Sequence, residues 1–252
     1  MKFVSRMMII VLLLSAGVWT ATAELMPVEP GSVDVYTSDN GRYEVSIIYG
    51  DGLPSWSLKE DGQELWSKPM MDEPGAASVS DNGETIALPL WGWRDEGGSS
   101  GVAVYNKEGD LVKKIYFKGL SMSAETLRWV RATGISPDGK YLAIGGNGKE
   151  NATVTLFASA SGELVWEKAA GLPDIVDIRI AKDGKHVLIA TREKNGTGME
   201  FVLFGGEGSV LWNKKIDNNL SYDVEHYIRF TDDGTGFEIY DLASGKYLYE
   251  KL

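Results

Sequence analysis

Residues 130–168 read VRATGIS-PDG-KYLAIGG-NGKE-NATVTLFASA-SG-ELVWEK, four short apolar runs parted by glycine-containing turns. Each run alternates, or is rich in β-branched and aromatic residues, as a half-buried pleated surface requires. Asp138-Gly139 and Ser161-Gly162 are turn dipeptides: glycine enters positive φ without steric cost, and Asp or Ser bonds its own backbone. Four strands joined by tight turns make an antiparallel meander.

The same two turn signals recur along the chain. The first falls at Ser38-Asp39-Asn40-Gly41, Ser80-Asp81-Asn82-Gly83, Ser136-Pro137-Asp138-Gly139, Ala181-Lys182-Asp183-Gly184 and Thr231-Asp232-Asp233-Gly234. The second follows at Gly62, Gly109, Gly162, Gly208 and Gly245, and four residues later come Trp66, Lys113, Trp166, Trp212 and Tyr249. Two signals locked in phase mark a repeat. Copy one spans Ser32 to Met70, copy two Gly75 to Phe117, copy four Ile175 to Ile216, and copy five begins at Glu225. Copy five has only eleven residues between its marker glycines, so one strand is expected to be missing. The one helical expectation is a short turn over Ser123 to Arg131, capped by Ser123.

The pattern S-x-D-G-K-x-[LV]-A followed by [LF]-[YF]-x-x-x-[ST]-G-x-[LV]-x-W, carried by Ser136 to Ala143 and Leu156 to Trp166, resembles the β-propeller repeats of the WD-like and pyrroloquinoline-quinone-type superfamilies. The resemblance covers Ser32 to Leu252 and implies architecture rather than activity, because these superfamilies host enzymes, receptors and scaffolds. The chain departs from them in lacking a Trp-Asp dipeptide and in having fewer copies than the large quinoprotein dehydrogenases. The expected fold is all-β: a small propeller of about five blades, four complete four-stranded antiparallel blades and a shortened fifth. The ring is either closed by pairing of Glu24 to Val35 with the last blade or left open as an arc.

Residues 1–23 read as a signal peptide, with Lys2 and Arg6 before an apolar stretch from Met7 to Trp19 and Ala21-Thr22-Ala23 at the cleavage site. Residues 24–252 then form a single domain, expected in the periplasm or secreted. No later stretch is long and apolar enough to span a bilayer, so no membrane insertion is expected after cleavage. The chain has no cysteine, which excludes disulfides and an N-terminal lipid-modified cysteine. Its formal charge is −11, about −13 after cleavage, so nucleic acid is a poor partner.

The loops between second and third strands, and those linking copies, emerge on one face around the axis, the expected ligand side. There Trp91, Trp93, Arg94, Asp95 and Glu96 offer aromatic faces beside charges, suited to a protein or an extracellular polymer. Arg128, Trp129 and Arg131 add cations beside an aromatic, and His226 lies in the last link. The alternative for each is packing between blades with the charges solvated. Trp66, Trp166, Trp212 and Tyr249, at one register position, are assigned to packing.

No catalytic residue, metal ligand or cofactor is assigned. There is no phosphate loop, no G-x-S-x-G, no H-E-x-x-H, and neither histidine (His186, His226) has a second His or a Cys nearby. Asn151, Asn195 and Asn219 are glycosylation acceptors in form. The leading expectation is an exported, non-catalytic binding or scaffold module, monomeric or self-associating through an edge. The alternative is a propeller hydrolase, lyase or quinone-dependent dehydrogenase whose axial Arg94, Asp95, Glu96, Arg131 and His226 converge.

Overall fold

A computed structural model describes residues 31–50, 53–70, 77–90, 101–116, 130–147, 150–193, 198–217, 227–241 and 244–252. These form nineteen strands and, among the described residues, no helix. Blade one comprises β1 (Val33–Thr37), β2 (Tyr43–Ile48), β3 (Ser55–Glu60) and β4 (Gln63–Pro69). Blade two comprises β5 (Ser78–Val79), β6 (Ile86–Leu90), β7 (Gly101–Tyr105) and β8 (Leu111–Tyr116). Blade three has β9 (Val130–Ile135), β10 (Tyr141–Gly146), β11 (Ala152–Ala158) and β12 (Glu163–Ala170). Blade four has β13 (Asp174–Ile180), β14 (Val187–Arg192), β15 (Gly198–Phe204) and β16 (Val210–Asp217), and blade five only β17 (Ile228–Phe230), β18 (Gly236–Asp241) and β19 (Lys246–Lys251). Every sheet is an antiparallel meander in chain order, so the chain is a small five-bladed β-propeller with a shortened last blade.

All ten marker glycines sit at φ between 66° and 79°, the left-handed region that side chains disfavour. The first turns are held by the same local bonds in four blades: Ser38 Oγ to Asn40 Oδ1 at 2.8 Å, Ser80 to Asn82 at 2.7 Å, Ser136 to Asp138 at 2.8 Å and Thr231 to Asp233 at 2.7 Å. In the first four blades the outermost strand carries a bulge just before the fourth residue after the second glycine. The register jumps from Trp66 to Glu64, Lys113 to Leu111, Trp166 to Leu164 and Trp212 to Val210. A bulge adds twist and spoils a flat edge, which suits strands exposed to solvent.

The core lies between blades. One apolar cluster joins blades one and two through Val45, Ile47, Trp56, Leu58, Val79, Ile86 and Leu88. A second joins blades two and three (Ala87, Val102, Val104, Leu142, Ile144, Phe157), and a third joins three and four (Val154, Leu156, Trp166, Val187, Ile189, Phe204). The last joins four and five (Leu188, Phe201, Leu203, Ile228, Phe237, Ile239). Burial of a phenylalanine such as Phe201, Phe204 or Phe237 contributes roughly 1.5–3 kcal/mol, against about 0–1 for an exposed ion pair, so apolar stacking of blades dominates. Among the described residues none of these clusters joins blade five to blade one.

Three sequence expectations are corrected. Val33 to Val35 do not pair with the last blade; they are the innermost strand of the first, with Val33 opposite Ile48 and Val35 opposite Ser46. Ser123 to Trp129 lie outside the described residues, but Val130 and Arg131 belong to β9, whose innermost place in a blade excludes a helical turn there. Tyr249 is 53% exposed rather than packed: it lies in the third strand of its blade, without a bulge, opposite Glu238, whereas Trp166 follows a bulge in a fourth strand, opposite Leu156, and is 6% exposed.

Candidate functional site

The innermost strands of four blades enclose a cleft of about 270 Å³ on the axis. It is lined by Val35 to Thr37 of β1, Ser78 and Val79 of β5, Ala132 to Ile135 of β9 and Val176 to Arg179 of β13, with Asp39, Asp81 and Pro137 from the first turns. The volume lies just under the usual range of small-molecule pockets. Charged side chains reach an otherwise apolar strand because β13 alternates: Ile175, Ile178 and Ile180 are buried while Asp177 and Arg179 line the cleft.

Arg179 organises one side of it. Its Nη1 donates to Asp39 Oδ1 at 2.8 Å and its Nε lies 3.4 Å from Asp177 Oδ1. Asp177 also accepts from the backbone N–H of Tyr227 at 3.2 Å, tying the entry to blade five to the same carboxylate. On the adjoining side Asp81 Oδ1 accepts from the Asn40 N–H at 2.9 Å, and the Asn40 side-chain amide donates to the Asp81 carbonyl at 3.0 Å. Ser78 and Thr133 share a hydroxyl contact of 2.7 Å between blades two and three.

Burial pushes the Asp81 carboxyl above the usual carboxylate range, and the Asp39 charge acts in the same sense; the Asn40 amide and Lys182 offset this only in part. The Tyr36 phenol is pushed up from 10.0 to about 12, first by burial and then by the charge of Asp34 and the hydrogen bond to it. With Asp39, Asp81 and Asp177 against Arg179, the cleft is acidic. It suits cationic or hydroxyl-rich groups. Among the described residues no three His, Asp or Glu side chains converge as metal ligands.

Trp91, Trp93, Arg94, Asp95, Glu96, Arg128, Trp129 and His226 lie outside the described residues. Arg131 has its backbone in β9, at a bulge between Val130 opposite Gly146 and Ala132 opposite Gly145. Sequence reasoning missed Tyr36, Asp177 and Arg179, and read Asp39 and Asp81 only as turn formers. The available signal was IVDIRIA, two charges at alternate positions of an apolar innermost strand. His186 is engaged within its own turn, Nδ1 2.8 Å from Asp183 Oδ2. Trp66, Trp166 and Trp212 do pack at blade interfaces. Trp66 Nε1 donates to the Lys107 carbonyl at 2.7 Å, Trp166 stacks near Phe204 at 5.5 Å, and Trp212 meets Phe237 edge-on at 4.9 Å.

No protein-family model matches the chain, and no curated protein sequence does. Among solved structures it is similar to hydrazine synthase of Kuenenia stuttgartiensis, with 17% identity over 94% of this chain and 70% of that one, and a TM-score of 0.60. It is also similar to a eukaryotic initiation factor (11% identity, TM-score 0.52, 75% of this chain and 44% of that one). A third similar structure is the Dos1 propeller (9% identity, TM-score 0.52, 87% of this chain and 60% of that one). At these identities the likeness concerns the fold alone, and it supports a propeller domain.

Proposed function

We propose that this chain is an exported, non-catalytic propeller module that binds a protein or an extracellular polymer at the acidic mouth of its axis. The observation that carries this reading is the pairing of the cleft's charged and hydroxyl groups with one another. Arg179 is engaged by Asp39 and Asp177, Asp81 by Asn40, and Ser78 by Thr133. Such a surface is preorganised for recognition, with its one arginine neutralised rather than directed at a reacting group. Its excess of carboxylate favours partners that present lysine, arginine or a sugar hydroxyl. The test is retention of a partner from the export compartment by micromolar immobilised mature chain. Asp81→Asn and Asp39→Asn are expected to weaken retention and to reduce its sensitivity to salt. No retained protein or polymer, or retention indifferent to both substitutions, overturns the reading.

A second reading, a propeller enzyme, is favoured by one observation: the raised carboxyl of Asp81 beside Asp39, a pattern that proton-transferring sites share. Turnover of a hydrolase, lyase or dehydrogenase substrate, lost in Asp81→Asn, would establish it.

A further inference from the structure

We propose that the axial cleft takes one lysine side chain of a partner protein, whose ammonium meets Asp81 while the surface around that lysine rests on an aliphatic rim at the same end of the propeller. This deepens the reading of the cleft as a recognition site, on which it rests, and selects a protein over a polymer.

The cleft suits a short apolar stem with a positive charge at its tip. Val35, Val79, Ala132, Ile135 and Val176 make much of its wall apolar, and Val35 is left 51% exposed. A volume of about 270 Å³ holds the four-carbon stem of a lysine and little more. The two carboxylates on the first turns are not equivalent. Asp39 is taken by Arg179 at 2.8 Å. Asp81 accepts from the Asn40 N–H at 2.9 Å, and among the described residues it has no ion pair. Its charge is half-buried and is relieved by a cation only through Lys182 at longer range. An ammonium in the cleft supplies the missing partner. A guanidinium fits less well, because its fork wants two parallel carboxylate oxygens and Oδ1 of Asp81 is already engaged by Asn40.

The rim specifies the kind of partner. The first and second turns of a blade lie at one end of it: the Asp61 N–H donates to the Arg42 carbonyl at 2.8 Å and the Ser159 N–H to the Lys140 carbonyl at 2.9 Å. Leu111-Val112, Leu164-Val165 and Val210-Leu211 follow the second turns of blades two, three and four and are between 44% and 57% exposed. The bulge in each outer strand breaks the alternation of side chains there, so both members of each pair stay exposed instead of one entering a blade junction. Aliphatic pairs outside an acidic centre complement the apolar surface and basic anchor of a protein. A polymer of sugar hydroxyls would lose water against the same rim without a hydrogen bond in return.

The test is a pair of measurements on the full mature chain. In the first, the isotope-labelled chain is titrated by NMR with N-terminally acetylated lysine amide and with its arginine and norleucine counterparts. The lysine compound is expected to shift the backbone amides of Asn40, Asp81 and Ala132 and to bind more tightly than arginine; norleucine, which has the stem without the ammonium, is expected to leave them in place. Asp81→Asn should weaken the lysine compound at least about tenfold, the scale of losing one member of a partly buried charge pair, whereas Leu164→Ser should not change it. Norleucine binding as well as lysine, arginine binding more tightly, or indifference to Asp81→Asn overturns the proposal. In the second, retention of a protein from the export compartment by the immobilised chain should be lost when the lysines of the extract are acetylated, and should weaken when Leu164→Ser and Val210→Ser are combined. Retention that survives acetylation overturns this proposal and leaves the binding module standing. A lysine-specific shift with no retained protein supports the cleft chemistry and overturns the module reading alone.

Discussion

Arg179 and Asp39, 140 residues apart in the chain, meet at 2.8 Å across the axis and tie the fourth blade to the first. No apolar cluster among the described residues makes a comparable link between the fifth blade and the first. Polar contact at the centre therefore joins the fourth blade to the first, where among the described residues no apolar cluster does. The Asp39–Asn40 turn is the meeting point, since Asn40 also bonds Asp81 of the second blade.

Arg179→Ala is expected to cost stability, because it removes the guanidinium 3.4 Å from Asp177, whose side chain is only 13% exposed. The half-exposed Asp39 recovers solvation, so the loss should fall below that of a fully buried pair, at about 2 kcal/mol. For a chain of this size that corresponds to a fall of about 4–8 °C in Tm by calorimetry. An unchanged Tm would mean that the pair is solvated in solution.

Gly83→Ala and Gly234→Ala separate backbone strain from blade contact. Both glycines have positive φ, 72° and 70°, so each substitution costs roughly 1–2 kcal/mol of strain. Only at Gly83 would the new methyl also strike a neighbouring blade, at the Tyr43 ring, adding roughly 1–3 kcal/mol of overpacking. Equal losses in urea unfolding would contradict the packed junction.

Trp166→Ala and Tyr249→Ala test one offset from the second marker glycine in two surroundings. Trp166 is 6% exposed against Phe204, and truncation should cost about 3–5 kcal/mol. Tyr249 is half exposed, and its truncation should move monomer stability by less than about 0.5 kcal/mol. A large loss at Tyr249 in dilute solution would show that its own chain covers it.

Two titrations have opposite experimental windows. Tyr36 is raised from 10.0 to about 12 in the fold, so its contribution is fully present below pH 10 and is lost as pH climbs toward 12; Tyr36→Phe should flatten that alkaline loss. Asp81 is raised rather than lowered, so the fold favours its protonated form and the ionised form at neutral pH is a liability. Asp81→Asn should therefore raise the urea midpoint at pH 7, with the gain vanishing in acid where the native carboxyl is protonated as well. A gain that persists in acid would point to a cause other than charge.

The blade plan is legible in the amino-acid order because it rests on local physics. A glycine at positive φ, a Ser or Thr bonding an Asn or Asp two residues on, and alternation of apolar side chains each act within a few residues. Five repetitions therefore spell five sheets. Trp66, Trp166 and Trp212 are readable as packing residues on the same ground. The cleft is not readable that way. Asp39 and Asp81 look like ordinary turn residues until blades one and two meet, and Asp177 and Arg179 look like solvated charges until β13 becomes the innermost strand.

Order along the chain alone determined the all-β class, the phase of the repeat and the loss of one strand in copy five, since each follows from short-range propensity and periodicity. The tertiary arrangement alone decided which side chains line the axis, that Arg179 reaches Asp39, and that Tyr249 stands uncovered while Trp166 is buried. Those outcomes depend on which blade stands next to which, and that is a long-range relation no local pattern encodes.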